Sequence, residues 1–428
     1  MSRVVVVGLG YVGLPLALRA AEVGHQVTGI DLDPRKIALL QQGLTYIEDA
    51  TDGGVRAALD SGRFTARLGW DADEADARGT WPSIDVDIAV IAVPTPLRHG
   101  EPDLSYVVSA GRMIGQVLRA GAAVVLESTT YPGTTDGLLA GALADTSGLV
   151  PSVDFHLGFS PERIDPGSSM HTLANTPKLV SATTPAGLAV IDGFYRTVVE
   201  RTVTVTSPRI AEMAKVFENT QAYVNIALVN ELSEICHDMD IDVHEMIDAA
   251  MTKGHSMAHW VPGPGVGGHC LPIDPMYLAW QTRTLLGRRF RFAELADEIN
   301  TGRPGYVVRR AAEMLAGRGQ ELRGADVLVL GLSYKPGVGD LRESPAVEVV
   351  DALVGQGARV TVCDPYVQGW ETTAVVELEE LPGALDDFSL VVIATHHHDF
   401  DYEKIALRAR LVLDTRHAME PSGHVVAL

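Results

Sequence analysis

The sequence predicts an α/β protein in which two Rossmann-like, doubly wound domains are joined by a long central helical region. Short β-branched runs alternate with longer amphipathic stretches in the first 200 residues, and this alternation returns after residue 306. Between these parts, residues 210–250 contain neither glycine nor proline and carry apolar residues at helical spacing. Alternation of this kind is typical of parallel sheets covered by helices. We therefore predict three parts, over residues 1–200, 201–305 and 306–428.

The first part opens with a strand–helix–strand unit. Tyr11–Val23 has apolar residues at helical spacing, and Gly24 follows as a stop signal. Continuous apolar runs that are bounded by glycine, proline or charge predict buried parallel strands. Four such runs occur here: Val4–Val7, Gln26–Ile30, Ile88–Val93 and Ala122–Glu127.

The central part predicts long helices over residues 208–251 and another helix over Phe292–Leu315. Between them, Val261–Gly268 is too rich in glycine and proline for regular structure. The last part returns to short apolar runs, and we predict four strands there: Asp326–Leu330, Arg359–Cys363, Leu390–Ala394 and Leu411–Asp414.

Composition excludes several classes of protein. The 34 Lys and Arg residues against 55 Asp and Glu give a net charge of −21, which argues against nucleic acid or an anionic membrane as the main partner. Three cysteines cannot form a disulfide framework, so we expect a reducing, cytoplasmic setting. The apolar run Ile88–Leu97 is far shorter than the roughly 20 residues that a membrane helix needs.

A dinucleotide-binding motif follows the first strand. The run Gly8-Leu9-Gly10-Tyr11-Val12-Gly13 opens the first helix, and Asp31 ends the second strand 18 residues after Gly13. Glycines let the backbone approach a pyrophosphate, and the helix N-terminus favours its negative charge. An acidic Asp31 accepts hydrogen bonds from the ribose hydroxyls and repels a 2′-phosphate, so we predict NAD rather than NADP as cofactor. Arg35 is the one nearby group that could instead turn toward a phosphate.

Cys270 is the candidate nucleophile. It follows a glycine-rich run that begins at Gly263, and such a run leaves a thiol reachable. We expect Pro272 to occupy the first turn of a helix, which places Cys270 near a helix N-terminus, where the thiolate is favoured. Cys236, in a predicted helix, and Cys363, in a predicted strand, are interpreted as inert buried residues.

Taken together, these segments resemble the UDP-glucose/GDP-mannose dehydrogenase family over nearly the whole chain. The resemblance implies oxidation of the C6 hydroxymethyl group of a nucleotide-diphosphate sugar to a carboxylate, with two NAD molecules and a cysteine thiohemiacetal and thioester. It assigns the nucleophile to Cys270, NAD binding to residues 1–200, dimerisation to residues 201–305 and nucleotide-sugar binding to residues 306–428. A homodimer or higher homo-oligomer is expected on the same ground.

The resemblance also assigns roles to the other motifs. In the cofactor domain, Pro94 and Thr95 lie in the Val93–Pro96 loop, and Thr129, in the Glu127–Gly133 loop, handles water and protons. Glu162 orients the hydrolytic water, and Asp274 hydrogen-bonds the water or lysine cluster. Lys215 and Asn219 match a catalytic pair, and because they are four residues apart they share a helix face and can direct two donors at one oxygen.

Further residues are expected at the substrate. The loop Gly331–Pro345 follows a predicted strand, where a binding loop of an α/β sheet belongs. The resemblance places one arginine at the nicotinamide cofactor, Arg342. The substrate-binding residues that it implies are Glu162, Arg163, Lys215, Asn219, Gly267, Lys335 and Arg416.

The exact sugar stays open. Members that act on UDP-glucose usually carry a lysine where this chain has Ile273. The sequence around Cys270 is more similar to that of members that act on UDP-N-acetylhexosamines. Few lysines and much Ala, Gly and Arg are typical of a GC-rich genome, which keeps a TDP-glucose 6-dehydrogenase of an antibiotic-sugar pathway as an alternative. A single-step 3-hydroxyacid or 6-phosphogluconate-type dehydrogenase and a non-enzymatic NAD sensor are more remote. His396–His398 lacks metal-ligand spacing, so no metal is expected, and whether Lys253 reaches a neighbouring subunit's site is left open.

Overall fold

The computed structural model describes residues 1–47, 49–69, 86–164, 172–255 and 258–428. Contacts divide the chain into two compact units, Met1–Glu218 and Asn219–Leu428. The division into three domains at residues 200 and 305 stays a prediction. Among the described residues, none of the helices combines the length and apolar character that a membrane span requires.

The described residues of the first unit build an eight-stranded sheet in the order β10-β9-β8-β7-β4-β1-β2-β3. Its core follows the doubly wound strand order, as the alternating pattern predicted. Strands β8 and β9 pair antiparallel, so that the amino end of β9 lies at the carboxyl end of β8. The strands are β1 Arg3–Val7, β2 Gln26–Asp31, β3 Phe64–Leu68, β4 Ile88–Ile91, β7 Ala123–Leu126, β8 His156–Phe159, β9 Lys178–Ala182 and β10 Thr202–Thr204, and a separate hairpin pairs β5 Leu97–Arg98 with β6 Glu101–Pro102.

Helices cover this sheet and bury apolar faces against it. In α1, Leu14 and Leu16 are fully buried and pack with the strand residues Val4 and Val6. The predicted helix Tyr11–Val23 is confirmed over Gly13–Glu22. The helices are α1 Gly13–Glu22, α2 Pro34–Gln41, α3 Asp52–Asp60, α4 Ser105–Val117, α5 Ala140–Ser147 and α6 Pro185–Val198, and a π-helical segment Thr134–Leu139 precedes α5.

The first of the central helices ends just before a residue with a positive φ. Helix α7 covers Pro208–Asp238 and crosses the boundary between the two units. Asp240 has a φ of +57°, which a helix cannot continue through, and α8 begins after it. The remaining central helices are α8 Val243–Met251, α9 Asp274–Leu286 and α10 Arg291–Ala316.

The second unit contains a six-stranded parallel sheet in the order β13-β12-β11-β14-β15-β16. This order repeats the doubly wound pattern of the first sheet. The predicted strands are confirmed within a residue or so at their ends. The strands are β11 Asp326–Leu330, β12 Arg359–Cys363, β13 Ala374–Val375, β14 Leu390–Ile393, β15 Val412–Asp414 and β16 Val425–Ala427, and the helices are α11 Pro345–Gly355, α12 Leu381–Ala384 and α13 Tyr402–Arg408.

Candidate active site

The loop between β1 and α1 has the shape that a dinucleotide requires. A Cβ atom on Gly8 would lie 2.4 Å from the carbonyl oxygen of Ala92, and one on Gly13 would lie 1.8 Å from that of Gly8. By contrast, a Cβ on Gly10 would meet nothing within 4 Å among the described atoms, so a side chain there would fill open space beside the helix end. Helix α1 receives no side-chain cap from the described residues. Its first N–H groups can therefore bind a pyrophosphate.

Asp31 completes this site at the end of β2. Its Oδ2 accepts a hydrogen bond of 2.9 Å from the backbone N–H of Leu9, which fixes the carboxylate beside the glycine loop. Lys36, which the sequence analysis missed, lies 3.2 Å from the same oxygen. Arg35 bonds to Asp33 instead, and its side chain is 89% exposed. An anchored carboxylate at this position fits a ribose diol, and the residues present therefore fit NAD.

Two further loops meet at the carboxyl ends of β4 and β7. The hydroxyl of Ser128 donates a 2.7 Å hydrogen bond to the carbonyl of Val93, which joins the loop with exposed Pro94 and buried Thr95 to the loop with half-buried Thr129. Because both loops follow parallel strands, they lie at the same edge of the sheet as the glycine loop.

A buried carboxylate on α7 holds the far end of the Glu127–Gly133 loop. Glu212 is fully buried and accepts hydrogen bonds from the backbone N–H groups of Gly133 (2.6 Å) and Thr135 (2.9 Å). It also accepts one from the Thr135 hydroxyl at 2.6 Å. Burial raises the pKa of Glu212, and these donors oppose that rise. Gly133 has a φ of +97°, so the turn that Glu212 holds needs glycine.

Glu162 and Arg163 follow β8 and are fixed by different partners. The Oε1 atom of Glu162 accepts hydrogen bonds from the backbone N–H groups of Arg163 (2.6 Å) and Ile164 (2.8 Å). The Arg163 guanidinium pairs with Glu218 of α7 at 2.7 Å and donates to the carbonyl of Pro177 at 2.9 Å. The rest of the predicted motif, residues 165–167, lies outside the described residues.

The structure adds a buried lysine that the sequence analysis did not single out. Lys178, the first residue of β9, lies 3.0 Å from Glu162 and 3.2 Å from Glu127. Tyr195 donates a 2.5 Å hydrogen bond to Glu127. Burial lowers the pKa of Lys178, but the two carboxylates outweigh this and raise it overall. The antiparallel pairing of β9 with β8 brings Lys178 to this edge, and the sequence analysis did not predict that pairing.

Lys215 and Asn219 lie one turn apart on α7, and each is 9% exposed. The side-chain amide of Asn219 donates a short hydrogen bond to the carboxylate of Asp274. Asp274 is itself buried at the start of α9. The helical spacing predicted for Lys215 and Asn219 is confirmed, and their catalytic roles stay predictions.

Cys270 is exposed, whereas Cys236 and Cys363 are buried. Burial raises the pKa of Cys363 to about 12, which makes that thiol a poor nucleophile at neutral pH. The carbonyl of Cys270 accepts a 2.9 Å hydrogen bond from the N–H of Asp274, so the cysteine lies in the turn that leads into α9. The predicted place of Pro272 is wrong: α9 begins at Asp274, and the proline in its first turn is Pro275.

The glycines before Cys270 allow neighbouring parts of the protein to pack closely against the backbone. A Cβ on Gly267 would lie 2.6 Å from the carbonyl oxygen of Glu343, and one on Gly268 would lie 2.8 Å from the ring of Tyr334. The N–H of Gly268 also donates to the carbonyl of Arg342 at 3.0 Å. The segment that carries Cys270 is thus packed directly against the Gly331–Pro345 loop.

A buried polar cluster that the sequence analysis missed holds the start of this segment. The N–H of Gly263 donates to the side-chain oxygen of Asn230 at 2.9 Å, and its carbonyl accepts from Nε of Arg303 at 3.0 Å. Arg303 is fully buried and also donates to the carbonyl of Asn230 and to Glu234, both at 3.0 Å. Asn300 accepts a 2.9 Å hydrogen bond from the side chain of Asn230.

The middle residue of His396–His398 supports the loop that contains Lys335. His397 is fully buried, and its Nδ1 lies 3.2 Å from the N–H of Gly337. Its Nε2 lies 3.1 Å from Asp364, whose carboxylate accepts a 2.6 Å bond from the N–H of Leu332. Lys335 is half-buried within this braced loop.

Arg342 and Arg416, which were predicted to contact the cofactor and the substrate, have different surroundings. Arg342 is paired with Asp340 at 2.6 Å. Arg416 donates from Nε to the carbonyl of Ala394 at 2.8 Å, and burial lowers its pKa to about 10. Its Nη1 would lie 3.0 Å from a Cβ on Gly263, so a side chain at that position would require a small shift of the guanidinium.

The first sheet with its glycine loop and the second sheet with its braced loops are typical of NAD-dependent dehydrogenases that have two α/β domains. The chain belongs to the UDP-glucose/GDP-mannose dehydrogenase family, because the NAD binding, central and UDP binding domains of that family match residues 2–199, 209–302 and 328–421. It is an NAD-dependent nucleotide-sugar 6-dehydrogenase.

Similar proteins cover almost the whole chain. A UDP-N-acetyl-D-mannosamine dehydrogenase of Pyrococcus horikoshii is 33% identical over 99% of this chain and 98% of its own. Its solved structure has a TM-score of 0.87 and covers 99% of this chain and 98% of that one, at 30% identity. A UDP-N-acetyl-D-glucosamine 6-dehydrogenase of Pseudomonas aeruginosa is 35% identical over 93% of this chain and 91% of its own. The structure of a UDP-glucose dehydrogenase from Pyrobaculum islandicum has a TM-score of 0.85 at 31% identity and covers 98% of this chain and 95% of that one.

Proposed function

We propose that this enzyme oxidises the C6 hydroxymethyl group of a UDP-N-acetylhexosamine to a carboxylate through a covalent intermediate on Cys270. The observation that carries the proposal is the exposed thiol of Cys270, held in a turn before α9, while Cys236 and Cys363 are buried. The names of the relatives from Pyrococcus horikoshii and Pseudomonas aeruginosa support an N-acetylhexosamine. Ile273, which stands where members that act on UDP-glucose usually carry lysine, supports the same substrate.

The thiolate of Cys270 makes the second oxidation possible. NAD, when bound, accepts a hydride from C6 in each oxidation, so one sugar yields two NADH. The first oxidation leaves an aldehyde, which has no leaving group. Addition of the Cys270 sulfur to its carbon, with a proton to its oxygen, forms a thiohemiacetal whose C6 carries a hydrogen that can leave as hydride. Loss of that hydride and of the hydroxyl proton leaves a thioester.

We assign stabilisation of the C6 oxygen to Lys215 and Asn219. Negative charge develops on this oxygen in the oxidations, in the thiolate addition and in the attack of water on the thioester. Preorganised donors lower each of these barriers, by about 3 kcal/mol for one donor in comparable sites. The hydrogen bond from Asn219 to Asp274 fixes the orientation of the amide for this role.

Hydrolysis ends the cycle. We propose that Glu162 orients the water that adds to the thioester and takes up its proton, with Thr129 and Asp274 ordering the water. The C–S bond then breaks, the thiolate leaves and the uronic acid is released. On the substrate side, Lys335 and Arg416 supply cations for the diphosphate, with Arg163 and Gly267 contributing to the sugar side and Arg342 to the nicotinamide cofactor.

A panel of nucleotide sugars tests this proposal. Purified enzyme is mixed with NAD and one sugar each from the UDP, TDP and GDP series, and NADH and uronic acid are measured together. We expect two NADH and one acid per sugar, with the highest kcat/KM for a UDP-N-acetylhexosamine. A preference for TDP-glucose or UDP-glucose would contradict the proposed substrate but not the proposed two-step oxidation. One NADH per sugar would instead favour a single-step dehydrogenase.

We also propose a homodimer formed through α7. This helix exposes large apolar side chains two turns apart, Leu228 at 52% and Ile235 at 47%. The double variant Leu228→Glu/Ile235→Glu should lower the mass in light scattering from twice 45.8 kDa to 45.8 kDa, since charges on this face oppose its burial. Leu407→Glu, at an equally apolar but separate position on α13, should leave the mass unchanged. A monomeric wild type would contradict the proposal.

We also propose a reducing, cytoplasmic location, because three cysteines cannot build a disulfide framework and two of them, Cys236 and Cys363, are buried thiols.

A further inference from the structure

Three elements of the first unit bring an ion cluster to the carboxyl edge of its sheet. Glu127 follows β7, Glu162 follows β8, and Lys178 begins the antiparallel strand β9. The Lys178 side chain is 2% exposed, that of Glu127 is 0% exposed and that of Glu162 is 12% exposed. Of the two carboxylates, only Glu162 therefore keeps access to the outside of the cluster.

Hydrogen bonds from the described residues leave one acceptor position open on the Glu162 carboxylate. A carboxylate offers about four acceptor positions. Among the described residues, the backbone N–H groups of Arg163 and Ile164 bond to Oε1, and the Lys178 ammonium bonds to Oε2. The remaining acceptor position is on Oε2, beside the ammonium, and this is where one water can bind.

On the opposite side of the cluster, Glu127 and Tyr195 hold the ammonium group of Lys178 in place. Glu127 lies 3.2 Å from the ammonium, and Tyr195 both donates to Glu127 and places its ring 5.5 Å from the lysine nitrogen. Burial raises the pKa of Glu127, while Lys178 opposes that rise. A buried lysine without these groups would lose its proton, whereas here the two carboxylates keep it charged.

We infer that Lys178 is a positioning residue for thioester hydrolysis, which holds the Glu162 carboxylate in the orientation in which one oxygen can accept the water proton. The inference rests on the proposed function, in which Glu162 handles that water. The water O–H bond breaks, its oxygen bonds to the thioester carbon and its proton passes to Oε2. Lys178 itself exchanges no proton and stays an ammonium throughout.

The inference predicts an effect on hydrolysis but not on the oxidations. Loss of Lys178 alone would leave two buried carboxylates without their cation and could unfold the protein. The test therefore removes the lysine in a Glu127→Gln background, by comparing Glu127→Gln with Glu127→Gln/Lys178→Met. Glu127→Gln/Lys178→Arg is the conservative variant. Rapid mixing with NAD and the nucleotide sugar follows NADH, and intact-mass spectrometry follows the acyl adduct on Cys270.

We expect the Lys178→Met double variant to release two NADH per active site in a burst and then turn over about 100-fold more slowly than Glu127→Gln, because general-base contributions are of this size. Its adduct on Cys270 should accumulate. The Lys178→Arg double variant should recover most of the hydrolysis rate, and its adduct on Cys270 should not accumulate.

The outcomes separate the two hypotheses. If the wild type gives one NADH per sugar and no variant forms an adduct, the proposed function is wrong. If the wild type gives two NADH, but the Lys178→Met double variant keeps the steady-state rate and the adduct level of Glu127→Gln, Lys178 does not position Glu162. Should that variant fail to fold, the Lys178→Arg double variant decides. Hydrolysis close to that of Glu127→Gln, with the guanidinium paired to Glu162 in a crystal structure, supports the role, and equal hydrolysis with the arginine moved away from Glu162 contradicts it.

Discussion

Cys270→Ala should abolish formation of the uronic acid. Without the sulfur, the aldehyde cannot become a thiohemiacetal, so the second hydride transfer loses its donor. Acid formation should fall by about 10⁴-fold or more, in line with the removal of covalent nucleophiles elsewhere. At most one NADH should form per enzyme-bound sugar. The measurement is parallel quantification of NADH and acid, with the aldehyde trapped by an amine reagent.

Cys236→Ala is the matched control for this experiment. It removes a thiol of the same chain that is buried in α7 and lies outside the proposed machinery. We expect two NADH per sugar from this variant, with a modest loss of stability from the small cavity. Undiminished acid formation by Cys270→Ala would remove the covalent mechanism altogether.

Arg303→Met should destabilise the protein strongly. Methionine keeps most of the apolar volume but donates no hydrogen bond, so the carbonyls of Gly263 and Asn230 lose their partner in a buried place. Each unsatisfied buried group costs about 1–3 kcal/mol, and we expect a total loss of about 3 kcal/mol in the free energy of unfolding. Activity should also fall, because the segment that begins at Gly263 carries Cys270.

Arg309→Met provides the comparison, since Arg309 pairs with the same carboxylate, Glu234, at 3.1 Å but is 58% exposed. Exposed ion pairs contribute about 0–1 kcal/mol, so this variant should unfold close to the wild type in urea and turn over normally. Equal stability of the two variants in urea titrations would show that the buried hydrogen bonds of Arg303 carry no special weight.

The sequence was informative where a short pattern determines the structure. The strands of both sheets are continuous apolar runs, and the glycine loop with Asp31 has a fixed spacing, so local residues were sufficient to locate them. The helical spacing of Lys215 and Asn219 was equally local. Helix α9 was placed wrongly because both Pro272 and Pro275 suit a first turn, and the choice depends on packing that the sequence does not display.

The residues that were missed depend on contacts between distant segments. Lys178 reaches Glu127 only because β9 runs antiparallel to β8. Arg303 follows Asn230 by 73 positions and lies in an ordinary amphipathic helix, where an arginine predicts a solvated face. His397 lies in the loop after β14, and nothing in the sequence indicates that it is fully buried beside Asp364. The spacing of residues along the sequence does not indicate such contacts between distant segments.

The close packing of the Cys270 segment on the Gly331–Pro345 loop limits how the enzyme can be redesigned. At Gly267 and Gly268 even one added methyl group would overlap Glu343 or Tyr334. A mutant library meant to change the accepted sugar would therefore lose most of its folded members if it randomised these contacts one at a time. Libraries should keep the two glycines and their two neighbours together as one invariant block, keep Lys335 for the diphosphate, and vary the exposed positions beside Lys335 instead.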